Sequence, residues 1–95
     1  MDSSSFNILV QEVKRQRMAS DKVATIRSSI GGCNAISAEQ VATLIELISF
    51  DNEQLEVATM AYSHATNKPV YAIIVGKALK LSSSRDKLKR FIAEA

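Results

Sequence analysis

The chain has 95 residues and a formal charge of +2, and it is 46% hydrophobic and 23% charged. That is the composition of one globular domain and not of a disordered or collagen-like polymer. Two tyrosines, three phenylalanines and no tryptophan are too few to stack successive bases of a single strand, and one cysteine excludes an internal disulfide and a cysteine-based zinc site.

The opening MDSSSF lacks the basic start and apolar run of a secretory signal, and residues 1–5 read as a disordered tail ahead of a single helical domain over 6–95. Apolar spacing predicts six helices, near 6–17, 20–30, 38–49, 52–66, 70–80 and 84–94. Gly31 and Gly32 read as a helix C-cap and turn, with Cys33 in the loop that follows. Ser37 with Gln40 forms a capping box, in which each side chain satisfies an exposed N–H of the other residue. The helix it opens places Val41, Leu44, Ile45, Leu47 and Ile48 on one wide face opposite Glu39, Glu46 and Ser49, which predicts a surface helix. Asp51 with Gln54 reads as a second capping box.

The fourth helix carries two stripes, Leu55, Ala58, Tyr62 and Ala65 on one side and Val57, Met60 and His64 on another, so it is expected between neighbours. Pro69 suits a first helical turn, where its missing N–H costs nothing. The stretch from Val70 to Leu81 is apolar nearly all round and is expected to be the most buried helix. Its Val70, Ile73, Ile74 and Val75 equally suit a buried strand, although length and the proline start favour helix. Ser83 or Ser84 is expected to cap the last helix ahead of Asp86. Tyr62 and Tyr71 are expected half-buried with their hydroxyls at the surface. The helical pattern still runs at the final residues, which suggests a domain of a longer protein. No stretch approaches the ~18–20 apolar residues of a membrane span, so the expected setting is cytoplasmic.

The chain is self-similar at a spacing near 32 residues, a length typical of repeated helical hairpins. Val13 falls on Ile45, Met18 on Phe50 and Val23 on Leu55; a third copy puts Leu81 opposite Phe50 but needs about two extra residues before Leu88. The fold class is therefore all-α, a compact array of three degenerate hairpins. The "FDNEQL" run, preceded by "SAEQVATLIELIS" and followed by "LKLSSSRDKL", resembles the domain of unknown function family 4476 from Phe6 to Ile92. That family's recurring pattern is an aromatic residue, an aspartate or serine, two polar residues, then lysine and leucine. Here Phe50 keeps the aromatic with Gln54 at the lysine position, while the first copy keeps Asp21 and Lys22 with Met18 for the aromatic. The resemblance implies a small helical module and no assigned activity.

Catalytic constellations are missing from this pattern. His64 is the only histidine and, beside Met60 and Val57, reads as a packing residue. Asp51 and Glu53 lack the central glycine and distal glutamate of a calcium loop, and "IGGCN" lacks the spacing and lysine of a phosphate loop. No cofactor or metal is expected, and the chain reads as a non-enzyme. Charge is more informative: residues 1–33 carry +2, residues 34–67 carry −5 with no lysine or arginine, and residues 68–95 carry +5. Either the acidic middle hairpin and the basic third attract each other at their rims, or the basic end meets an acidic partner surface. The expected function is a protein-protein interaction module of a larger scaffold or adaptor. Its candidate contact residues are Lys80, Arg85, Lys87, Lys89 and Arg90 at the basic end, with Phe50, Asp51 and Glu53 at the turn. The alternative is a basic surface for acidic lipid headgroups or nucleic acid.

Overall fold

A computed structural model describes residues 1–33 and 35–95; Asn34, within the expected glycine-bearing loop, lies outside the described residues. Six α-helices run in chain order: α1 (Ser3–Arg15), α2 (Ala19–Gly31), α3 (Ala38–Glu46), α4 (Asp51–Tyr62), α5 (Tyr71–Ala78) and α6 (Ser82–Glu94). Consecutive helices pair as hairpins, and the hairpins stack. The first helices α1, α3 and α5 pack in one layer and the second helices α2, α4 and α6 in the other. The smallest dimension, 18 Å, fits two helical layers about 8–10 Å apart. The all-α array of three hairpins is therefore the architecture, and α4 lies between α2 and α6 in its layer while touching α3.

The copies register more simply than their sequences suggest. Buried Val13 and Ile45 are equivalent in the first two hairpins, and buried Val57 and Leu88 in the last two. Phe50 precedes Leu81 by the same 31 residues that separate Val57 from Leu88, so the third copy needs no insertion. The true counterpart of Leu88 is Val57, not Leu55.

Residues 1–5 are not a disordered tail. The Asp2 carboxylate accepts the Ser5 N–H at 2.6 Å and caps α1, which begins at Ser3. This bond to the backbone, with a second from the Ser5 side chain, holds the Asp2 carboxyl below its ordinary pKa. The Met1 ammonium donates to the Ala35 carbonyl, and the Met1 carbonyl accepts from Gln40 Nε2 at 2.7 Å. Apolar periodicity starts only at Phe6 and is blind to a polar first turn held by its cap.

Burial reverses the ranking of two helices. α3, expected at the surface, packs on α1, α4 and α5, and its Ala38, Val41, Leu44 and Ile45 are buried together with Ile48 just beyond its end. α5 lies at the end of its layer and leaves Ile73 62% exposed. The width of an apolar face depends on sequence, but the number of neighbours covering it depends on position in the stack. The 3₁₀ turn Lys68–Val70 carries Pro69 in its first turn and leads into α5. Tyr71 is wholly buried, contrary to expectation. Its hydroxyl donates to the Ala58 carbonyl at 2.7 Å, and its ring packs in a T-shaped pair with that of Tyr62, 5.2 Å between centroids. Burial, with a smaller electrostatic effect of Tyr62, raises the hydroxyl pKa well above the ordinary tyrosine range.

The connectors between hairpins meet at one end of the stack. Ile36 N–H donates to the His64 carbonyl and Thr66 N–H to the Ile36 carbonyl, both at 3.0 Å, which forms a short parallel bridge between Ile36 and Ala65. Asn67 completes the seam: its Oδ1 accepts the Ala38 N–H at 2.8 Å and its Nδ2 donates to Glu39 at 3.0 Å. The capping box of Ser37 and Gln40 is present, with both bonds at 3.1 Å. Gly32 is the C-cap of α2 in right-handed conformation, with Gly31 as the last helical residue.

Candidate functional site

The turns inside the hairpins meet at one edge, where α2, α4 and α6 begin. Their N-caps are Met18, Phe50 and Leu81, with φ/ψ of −95/142°, −100/135° and −97/137°. The three turns are one conformation used three times. Each N-cap carbonyl accepts the N–H of the residue four positions on, Lys22, Gln54 or Arg85, at 3.0–3.2 Å. None has a side-chain cap, although a Ser, Thr, Asp or Asn there typically adds about 1 kcal/mol over an apolar residue. Instead the side chains point outward, with Met18 and Phe50 63% and Leu81 46% exposed. The expected box of Asp51 and Gln54 is thus replaced: Phe50 is the cap, and Asp51 is already in the first turn. Likewise α6 starts after Leu81, with Ser83 and Ser84 inside its first turn rather than capping it.

The residue four places after each N-cap donates to carbonyls at a turn, its own for Gln54 and Arg85 and the next one for Lys22. Gln54 is buried, and its Nε2 donates to the Ile48 carbonyl at 2.8 Å and the Ile45 carbonyl at 3.2 Å. Arg85 donates to the equivalent carbonyls one hairpin later, Gly76 from Nε at 2.8 Å and Leu79 from Nη2 at 3.0 Å. Lys22 reaches into the next hairpin and donates to Leu47 at 3.0 Å. Amide, guanidinium and ammonium all perform one task, satisfying carbonyls at the C-terminal end of a first-layer helix, where the helix dipole also favours positive charge.

Met18, Phe50 and Leu81 line a single open depression of about 720 Å³ together with Arg17, Asp51 and Glu53. Asp51 and Glu53 are half-buried, and Asp51 Oδ1 is inaccessible without a hydrogen-bond partner. Among the described residues the ion pairs are Arg15 with Glu12 and Arg27 with Glu56. Neither involves Asp51 or Glu53, and neither links the acidic middle hairpin to the basic third.

The eight residues singled out from sequence do not form one patch. Phe50, Asp51 and Glu53 come together in the depression. Lys80 and Arg85 serve the backbone, Lys80 Nζ donating to the Ser49 carbonyl at 3.1 Å and Arg85 as above. Lys87, Lys89 and Arg90 are exposed along α6. Lys89 borders a second hollow of about 530 Å³ with Lys77, Arg85 and Ile73. Sequence reasoning aligned Met18 and Leu81 with Phe50 yet assigned them no contact role; their shared column was the available signal. His64 is half-buried and engages through its main chain. Among the described residues no three His, Cys, Asp or Glu side chains cluster to hold a metal ion, and no helix is long and apolar enough to cross a membrane.

The fold and this edge define a small three-hairpin helical domain whose second helices open on exposed apolar residues. The chain belongs to the family described as domain of unknown function DUF4476, which it matches over residues 1–92. No curated protein and no solved structure matches it.

Proposed function

We propose that the domain is a protein-binding module of a larger scaffold or adaptor, working by contact rather than catalysis, and that its contact surface is the row of Met18, Phe50 and Leu81. The observation that carries this reading is their repetition: an apolar side chain replaces a stabilising cap at three equivalent turns and is left in solvent each time. An aligned apolar row rimmed by polar groups is the pattern of a recognition surface, with Phe50 as its central anchor. The depression offers apolar contact between carboxylates and a guanidinium. The test compares proteins captured by the wild-type chain with those captured by a variant carrying Met18→Ser, Phe50→Ser and Leu81→Ser. Partners lost by the variant at unchanged Tm support the reading, and an identical set refutes it.

A second reading, binding of acidic lipid headgroups or nucleic acid, is favoured by Lys87, Lys89 and Arg90, which are exposed and in no ion pair among the described residues. It expects salt-sensitive binding to anionic vesicles or duplex, lost with Lys87→Glu and Arg90→Glu.

A further inference from the structure

Building on the protein-binding reading, we infer that the occupant of the row is an extended, proline-containing peptide in polyproline II conformation, with an apolar side chain at every third position and a basic side chain against Asp51 and Glu53. Spacing is the first argument. α2 packs on α4 and α4 on α6, packed helices lie about 8–10 Å apart, and the three N-caps share one backbone geometry. Met18, Phe50 and Leu81 therefore recur at about that interval. A polyproline II chain rises about 3.1 Å per residue with three residues per turn, so its like-facing side chains recur at about 9.3 Å, in step with the row. Like-facing side chains of a β-strand recur at about 6.6 Å and fall out of step.

Hydrogen-bonding capacity is the second argument. α1 and α3 begin on the side-chain caps Asp2 and Ser37, whereas α2, α4 and α6 have no side-chain cap, and the first-turn residues Ala19, Ser20, Asp51 and Asn52 of α2 and α4 line the depression without that acceptor. A polyproline II chain makes no internal hydrogen bonds and presents its carbonyls outward; a bound α-helix has already used most of its own. Charge is the third. Asp51 and Glu53 line the depression beside Phe50 and have no ion-pair partner among the described residues. A lysine or arginine of the peptide pairs with these carboxylates, beside the apolar anchor on Phe50.

The probe is the synthetic peptide LPPLPRLPP, with Met or Phe also placed at its leucine positions, titrated into the isotopically labelled chain and followed by NMR. Two peptides accompany it, one of the same composition with the three-residue spacing broken and one amphipathic α-helical peptide. The expected result is movement of the Ala19, Ser20, Asp51, Asn52, Ser82 and Ser83 amides. Phe50→Ser should weaken binding roughly tenfold or more, and Asp51→Asn with Glu53→Gln roughly two- to fivefold with loss of salt dependence. Because Phe50 is largely exposed, its variant should keep the wild-type Tm; if it does not, Leu81→Ser replaces it. Equal binding of the spacing-broken peptide overturns the inference. So does capture of the helical peptide on this row with LPPLPRLPP inert, an outcome that leaves the protein-binding reading standing. Silence from every peptide also overturns it, and that reading falls as well only if the triple serine variant captures the wild-type set of partners.

Discussion

Replacing Gln54 by leucine isolates the interaction that holds the middle turn. The side chain is 1% exposed, so a leucine of similar volume fills the site and leaves little cavity. What is lost are the two bonds to Ile45 and Ile48, at 3.2 and 2.8 Å, and the weaker acceptance of the Lys80 N–H at 3.4 Å. The Ile45 carbonyl keeps the Ile48 N–H at 3.0 Å, but the Ile48 carbonyl and the Lys80 N–H are left unpaired at about 1–3 kcal/mol each, and partial relaxation brings the expected loss to roughly 2–4 kcal/mol. For a domain of this size that lowers Tm by roughly 10–25 °C and removes a large share of a total stability of about 5–14 kcal/mol. Gln54→Lys should not cost less than Gln54→Leu, because its ammonium would be buried without an acidic partner, whereas Arg85 serves the equivalent carbonyls from an exposed position. Gln54→Glu should cost more at neutral pH, since a carboxylate cannot donate and opposes the negative end of α3. Urea denaturation followed by circular dichroism measures all three. A leucine variant within about 0.5 kcal/mol of wild type, outside the range that lost buried hydrogen bonds produce, would refute the assignment.

Other measurements bear on the rest of the fold. Tyr71→Phe removes the buried bond to the Ala58 carbonyl, which keeps its place in the α4 ladder, and should cost about 0.5–1.5 kcal/mol in the same assay. The raised hydroxyl pKa of Tyr71 means that the unfolded chain loses its proton first, so stability is intact below about pH 10 and falls above it. Alkaline unfolding should therefore be steeper for wild type than for Tyr71→Phe. The depressed Asp2 carboxyl acts in the opposite direction: its stabilisation of α1 is present above pH 3.8 and fades as pH falls through its folded value, which amide exchange at Ser5 reports. Gly31→Ala should stabilise by about 0.5 kcal/mol, since the position is helical, lacks positive φ, and a Cβ there meets nothing within 4 Å.

Periodicity revealed the six helices, their grouping in hairpins and the column that unites Met18, Phe50 and Leu81, because those follow from spacing within the chain. It read Ser37 with Gln40 correctly because that box closes within one turn. The same motif failed at Asp51 and Gln54, where the amide finds two carbonyls at the end of α3, acceptors that only the completed hairpin brings near. Lys80 and Arg85 were counted as surface charge for a similar reason: their backbone partners were invisible until the turns closed. Tyr71 and α3 show the same limit on packing. Residue type gave their apolar character, but position in the stack decided how much of it is covered.

The two ends of the stack are secured differently. At the connector end, Ile36 and Thr66 join main chain to main chain, while at the turn end the cross-ties between hairpins include the flexible arms of Lys22 and Lys80. The hairpins are thus bound like leaves along a spine, main chain at the binding and side-chain ties at the fore-edge that carries Met18, Phe50 and Leu81. Amide exchange is expected to be slower at Ile36 and Thr66 than at Ala19, Asn52 and Ser83.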